Sequence, residues 1–242
     1  MNERLVEQHA VEPDSVLKER YGRREDIRHY IDLEVINPDG PEALAELDPD
    51  IETMRERFGR GKLNKSGTLP WTIEDKARLF AAAWRKRDCS AMILEGGYLA
   101  HYVGDASQPL HSTIHFDGYR RDRGVHARVE KAADDLISKI EPAAAREVRV
   151  RDISSVWPAE INEIRGANSL VDQLLAADRK ARKDADSRAQ YDAELFSDAG
   201  TMITGQIADA ASVLASIWLY EWKSAASPSA CESPLRSTPA SF

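Results

Sequence analysis

Two histidine–carboxylate pairs stand four residues apart in one stretch of the chain, His101 with Asp105 and His126 with Glu130, and His111 lies between them. The pattern is H-x3-D-x5-H-x14-H-x3-E. On a helix, residues i and i+4 share a face. Each pair can therefore aim an imidazole nitrogen and a carboxylate oxygen at one point. Zinc accepts both donors, and catalytic zinc sites take three protein ligands and keep a position for water. Five donors are too many for one open site and suit two. A single such pair reads as an ordinary surface ion pair. Two pairs with a third histidine between them, in a chain of six histidines, favour metal binding.

The residues "YLAHYVGDASQPLHSTIHFDG" and, shortly after, "RGVHARVE" resemble the motif of the zinc-dependent phospholipase C and single-strand-specific nuclease superfamily. There, an aliphatic–His–aromatic helix leads to Gly-Asp, Gln-Pro-Leu-His and a later His-x3-acid pair. The family pattern also asks for an earlier Asp and His about fifteen positions apart. Asp14 in "EPDSV" and His29 in "IRHYIDLE" fill those places. Taken alone, Asp14 reads as a helix N-cap and His29 as an ordinary histidine. The resemblance implies that Asp14, His29, His101 and Asp105 bind one zinc, and that His111, His126 and Glu130 bind a second. It also implies that Asp14 doubles as general base toward a metal-bridging water. In layout it covers residues 11–222; residues 98–130 and the segment around His29 carry its specificity.

One part of the family pattern is missing. Its third zinc uses a mature N-terminal tryptophan and a nearby histidine, with the aspartate at the Asp105 position bridging. This chain has no tryptophan before Trp71, and its early histidine, His9, stands five residues before Asp14 and reads as a surface residue. The expectation is two zinc sites, an absent third site, and an Asp105 without its bridging role. The family's opening segment and export signal are not seen. The resemblance suggests an exported, periplasmic or secreted ancestor.

The implied activity is hydrolysis of phosphoric ester bonds in a phosphodiester substrate. Glu130 as the final acid and the short gap from His111 to His126 favour the phospholipase C branch. One alternative is a single-strand-specific nuclease (endonuclease/3'-nucleotidase) of the same superfamily, acting on single-stranded nucleic acid instead of a phospholipid headgroup. Another is a zinc-binding helical protein, catalytically impaired without the third metal. Arg120, Arg121, Arg123 and Arg128 either hold a phosphate or form a solvated loop. Asp32 and Asp117 are candidates for orienting the ligand histidines, and His115 is not needed by the pattern.

These ligands must be carried by helices. Strand signals are scarce and Ala-rich helical periods dominate, so the fold class is all-α, a single multi-helix bundle over residues 1–224 with a Ser/Pro-rich, disordered tail over 225–242. A helix or two broken by Pro13 covers residues 1–30. A short helix over "IETMRERFG" stops at Gly59, and "GRGKLNKSGTLP" reads as a loop. From Trp71 a helix begins, with Thr72 and Asp75 as a capping box and Ile73, Ala77, Phe80, Ala81 and Trp84 as its apolar stripe. A helix over 90–107 ends at Gln108-Pro109. Others cover about 124–140, one or two segments from Val156 to Arg182, and 188–223. The five tryptophans are spaced as core residues.

The 242-residue chain is 42% hydrophobic and can bury a sizeable core. Its net charge of -8 speaks against a broad nucleic-acid surface, which needs clustered Lys and Arg. Cys89 and Cys231 are too few for a disulfide framework or a cysteine zinc site. The apolar run "AASVLASIWLYEW" falls short of the ~20 residues a bilayer requires, and no stable membrane insertion is expected. The charged start "MNERLVEQHAVEPD" lacks a signal peptide's apolar stretch.

Overall fold

The computed structural model describes residues 3–119 and 122–225, and among them every regular element is helical. The order is α1 (Glu3–Ala10), a π-helical turn (Pro13–Leu17), α2 (Lys18–Tyr21), α3 (Arg23–Asp26), α4 (Leu33–Ile36), a 3-10 turn (Gly40–Ala45), α5 (Ile51–Phe58), α6 (Arg60–Ser66), α7 (Leu69–Arg85), α8 (Cys89–Ser107), a 3-10 turn (Pro109–Ser112), α9 (Val125–Asp135), α10 (Ile137–Glu147), α11 (Val156–Asn168), α12 (Val171–Asp184) and α13 (Arg188–Ser224). The all-α class is as expected.

α8 is the helix that carries the site. Asp88 caps it by accepting the Ala91 N–H at 3.0 Å. Its Gly97 lets α1 approach closely: a Cβ there would stand 2.6 Å from His9 Cβ and 2.8 Å from Val6 O. This contact brings the end of α1, and with it Ala10 O, against His101. A second close approach lies at Gly67. Its φ of +87° favours glycine, and a Cβ would meet Tyr30 O at 2.1 Å. The His29–Asp32 segment is thereby laid along the start of α7, with Leu69 N–H donating to Tyr30 O and Asp32 N–H to Ser66 O.

α13 spans 37 residues and packs against α7, α8, α9, α10, α11 and α12. The middle of its buried face is lined by small residues, Ala199, Gly200, Thr204, Ala208, Ser212 and Ser216, between the larger Leu195 and Ile217, and small residues let neighbouring helices come close. Ser212 and Ser216 also accept the backbone N–H groups of Arg149 and Arg151, each at 2.9 Å. Two apolar clusters meet along these helices. One surrounds Leu69, Leu99, Tyr102 and Ile164; the other joins Leu110, Val125, Val129, Leu174 and Leu195.

Several sequence expectations are corrected. The "loop" after Gly59 is mostly α6: Gly59 resets the chain at φ 79°, and Leu63 is fully buried, so packing sustains a helix that the glycines obscured. α7 starts at Leu69, and Thr72 is no cap; its hydroxyl donates back to Thr68 O at 3.0 Å. The helix expected over 124–140 breaks at Leu136 and resumes as α10, which carries Pro142 inside it. α13 is, among the described helices, long and apolar enough to cross a bilayer by length and composition, which the apolar run alone had hidden. Trp222 is exposed, unlike the core residue expected. The expected tail beyond Ala225, with Cys231, lies outside the described residues.

Candidate metal centre

The seven expected ligands come together. Asp14 sits in the π-helical turn after Pro13, a residue suited to a helical first turn. His29 follows α3, His101 and Asp105 lie one turn apart on α8, and His111 lies in the Pro109–Ser112 turn. That turn is set by Gln108, whose Oε1 accepts the Leu110 N–H at 2.7 Å. His126 and Glu130 lie one turn apart on α9, whose entry is fixed by Asp117 Oδ1 accepting the Gly124 N–H at 2.6 Å.

Asp14, His29 and His101 converge as one group, and His111, His126 and Glu130 as another. In the first, His29 Nδ1 lies 3.0 Å from His101 Nε2 and 3.5 Å from Asp14 Oδ1, and His101 Nε2 lies 3.8 Å from Asp14 Oδ2. Asp105 Oδ2 joins it, 2.9 Å from His29 Nδ1 and 3.3 Å from His101 Nε2. In the second, His126 Nε2 lies 2.9 Å from His111 Nε2 and 2.8 Å from Glu130 Oε1. Four ligands about 2.0–2.1 Å from a tetrahedral zinc stand roughly 3.3 Å apart, so both groups fit such an ion.

The imidazoles are pre-oriented. His101 Nδ1 faces Ala10 O at 2.8 Å and His111 Nδ1 faces His29 O at 2.6 Å. Donation of each Nδ1–H to these carbonyls leaves the Nε2 lone pairs free for a cation. Ile31 N–H donates in turn to His111 O at 2.8 Å, lacing the two ligand-bearing segments together.

Charge follows this geometry. Burial alone would raise the Asp105 carboxyl, but His111, His101 and His29 outweigh it and hold it well below the usual carboxylate range. Glu130 is likewise buried enough to rise, yet His111 and His126 hold it low. Burial opposes a charge on His111, but Asp105 and Glu130 push it up to about 9. The same contest raises His101, with Asp105 and Asp14 winning over burial. These are anionic pockets that gather positive charge.

Asp105 also reaches the second group: its Oδ1 lies 3.3 Å from His111 Nδ1, the ring nitrogen turned away from that group, while its Oδ2 lies against the first group. His9 differs from expectation. It is half-buried, 2.9 Å from Glu12 Oε1 through Nδ1, and Glu12 accepts from Tyr98 at 2.8 Å. It belongs to the α1–α8 contact, not to a metal group.

Neither Asp32 nor Asp117 contacts a ligand imidazole among the described residues. The carboxylate nearest to His29 Nε2 is Glu25, 1% exposed, with Oε1 at 3.7 Å, beyond hydrogen-bond reach, and accepting from Tyr102. Its spacing of four residues before His29 was the available signal. Of the four clustered arginines, Arg128 has defined partners. Arg128 is spent on Asp178 (2.9 and 2.8 Å) and on the carbonyls of Asp122 and Arg123. Arg120 and Arg121 lie outside the described residues.

No protein-family model matches this sequence. Over 76 residues it is 37% identical to a probable serine protease of Bradyrhizobium tropiciagri, a match that covers 31% of this chain and 9% of that protein's length.

A cleft of ≈ 280 Å³ opens over both groups, lined by Lys18, Tyr30, Asp32, Phe116 and the imidazoles of His29, His111 and His126. Lys18 Nζ pairs with Asp14 Oδ1 at 2.5 Å, the one cationic head at this rim among the lining residues. Burial, and then Glu34, pushes Asp32 up to about 7. The cleft thus offers a cation, carboxylates and ligand nitrogens to one small molecule.

Proposed function

We propose that this chain is a zinc-dependent hydrolase of phosphoric ester bonds, with a phosphodiester of the phospholipase C type as substrate. The carrying observation is the convergence of imidazole nitrogens at 2.9–3.0 Å in two groups linked through Asp105. Two nitrogens that close can share only one proton, whereas a cation between them satisfies both. Asp14, His29, His101 and Asp105 would hold one zinc and His111, His126 and Glu130 another, the second keeping an open position. Zinc held by these residues would lower the pKa of a bound water and polarise phosphoryl oxygens.

The chain's own groups do the rest. Asp14, exposed and paired with the cleft-lining Lys18, is the general base toward the attacking water. Lys18 offsets the negative charge of the phosphoryl group at the rim. Ala10 O and the backbone of His29 keep His101 and His111 in the ligating tautomer. The name of the matched protein belongs to another hydrolase class, so hydrolysis is the common ground and the chemistry differs. A single-strand nuclease needs a basic groove with stacking aromatics. Arg128 is engaged elsewhere and the chain carries a net charge of -8, which favours the smaller diester.

The test is metal analysis and turnover of the purified chain. We expect about two zinc ions per chain, hydrolysis of a chromogenic phosphodiester, and its loss in His126→Ala. Less than one zinc per chain, or full activity in His126→Ala, would end the proposal. Cleavage of single-stranded DNA at low salt, with phosphatidylcholine micelles left intact, would overturn the phospholipase preference.

A further inference from the structure

Beside Glu130 a second cleft, of ≈ 270 Å³, opens between α8, α9, α12 and α13. Its walls include Gly104, Pro109, Val129, Leu174, Met202 and Ile203. Two glutamines border it, but their polar ends are turned to other partners. Gln206 Nε2 donates to Ser107 O at 2.7 Å. Gln108 Oε1 accepts from Leu110 N at 2.7 Å, and its Nε2 reaches Glu130 Oε1 at 3.4 Å. What faces the cleft is hydrocarbon, where water finds too few polar partners and an apolar ligand is favoured. Only the end at Gln108 and Glu130 is polar, and Glu130 belongs to the second metal group.

Gly104 adds an independent observation. Glycine inside a helix costs stability relative to alanine. Gly97, on the same helix, is required by the approach of α1. Gly104 has no such contact: a Cβ there would meet nothing within 4 Å. The absent side chain leaves the cleft open next to Asp105.

We propose that this cleft holds the aliphatic chain of the substrate, an alkyl phosphoester whose phosphate lies at His111, His126 and Glu130. This rests on the hydrolase reading above for the place of the phosphate. The occupant follows from the cleft's form, one anion-flanked polar end and an apolar remainder. Its volume admits several methylenes but not a helix about 10 Å across, which sets aside a docked peptide helix or a second copy.

The test is calorimetric titration of the zinc-loaded chain with methyl, butyl and hexyl phosphate. In parallel, the methyl NMR signal of Met202 is followed in zinc-loaded and zinc-stripped protein. Affinity should rise about fourfold for each added methylene until the cleft is full, and hexyl phosphate, unlike methyl phosphate, should shift the Met202 signal. Gly104→Leu and Ala133→Phe, which fill the cleft from opposite walls, should each bring the hexyl-to-methyl affinity ratio close to one. Equal affinity for the three phosphates, or a ratio retained in both variants, overturns the proposal. Chain-length dependence in a chain that does not hydrolyse the chromogenic phosphodiester would sink the hydrolase reading and leave the cleft standing; hydrolysis of that diester without chain-length dependence would sink the cleft alone.

Discussion

Asp105 Oδ1 lies 3.3 Å from His111 Nδ1, while the other oxygen of the same carboxylate lies 2.9 Å from His29 Nδ1. One side chain on α8 therefore touches a histidine of each group. The two groups are not independent pockets. A change at Asp105 must be felt at both.

Asp105→Asn tests that coupling. The amide keeps the shape but loses the charge, so the first group loses an anionic ligand. At the second group, His111 loses the carboxylate that favours its Nδ1–H tautomer. Removal of such an orienting partner typically weakens metal binding about 10–100-fold. Competition with a zinc chelator should show weaker affinity for both ions. Weakening of one ion only, with the other at its original affinity, would break the link between them.

Glu25→Gln addresses His29 from behind. Glu25 is buried, 3.7 Å from His29 Nε2, and accepts from the Tyr102 hydroxyl. Replacing it should weaken zinc at the first group by about 10–100-fold and leave the second group close to its original affinity. Site-resolved titration with cobalt as a spectroscopic substitute separates the two; an unchanged first site would show that Glu25 serves packing alone.

The difference between these two residues explains what was legible in the sequence. His101 with Asp105 and His126 with Glu130 are visible because the helical repeat puts both partners of each pair in one short window. Asp14 and His29 are separated from α8 by most of the first hundred residues, and only the family resemblance pointed to them. Their convergence depends on α1 riding over Gly97 and on the His29 carbonyl bonded to His111, neither of which has a local signature. Glu25 carried the same i, i+4 signal as the recognised pairs, but in a segment broken into α2 and α3. The all-α class followed from the helical periodicity. α6 was hidden because glycines at 59, 61 and 67 look like a loop, while burial of Leu63 decides otherwise.

The core also stores a pH-dependent cost. Glu160 on α11 is fully buried, and neither carboxylate oxygen has a hydrogen-bond partner. Burial first, and then Glu74, raises its pKa well above the ordinary value. A carboxyl with a raised folded-state pKa holds its proton after the unfolded chain has lost it. Stability must therefore fall as pH rises above the unfolded value of about 4.3 and level off once the folded carboxyl ionises. Glu160→Gln removes that slope. Urea midpoints at pH 5 and pH 8 should draw together in the variant, with a gain at pH 8. A wild-type midpoint that climbs over this interval, with Glu160→Gln leaving the climb unaltered, contradicts this assignment.

Arg128 ties α9, which carries His126 and Glu130, to α12. Its guanidinium grips Asp178 of α12 through Nε and Nη2 at 2.9 and 2.8 Å, and the Tyr191 hydroxyl completes that carboxylate at 2.8 Å. The Asp178 side chain is wholly buried. Arg128→Ala strands this carboxylate without a counter-charge, a loss on the order of 3–5 kcal/mol. Arg128→Lys supplies the charge but not the two-pronged fork and should recover only part of it. The double variant Arg128→Met with Asp178→Leu removes both charges and should be far less destabilised than Arg128→Ala, because breaking a buried pair costs more than replacing it. Chemical denaturation gives the three stabilities. If Arg128→Ala unfolds at the wild-type midpoint, the pair is not what holds α9 against α12.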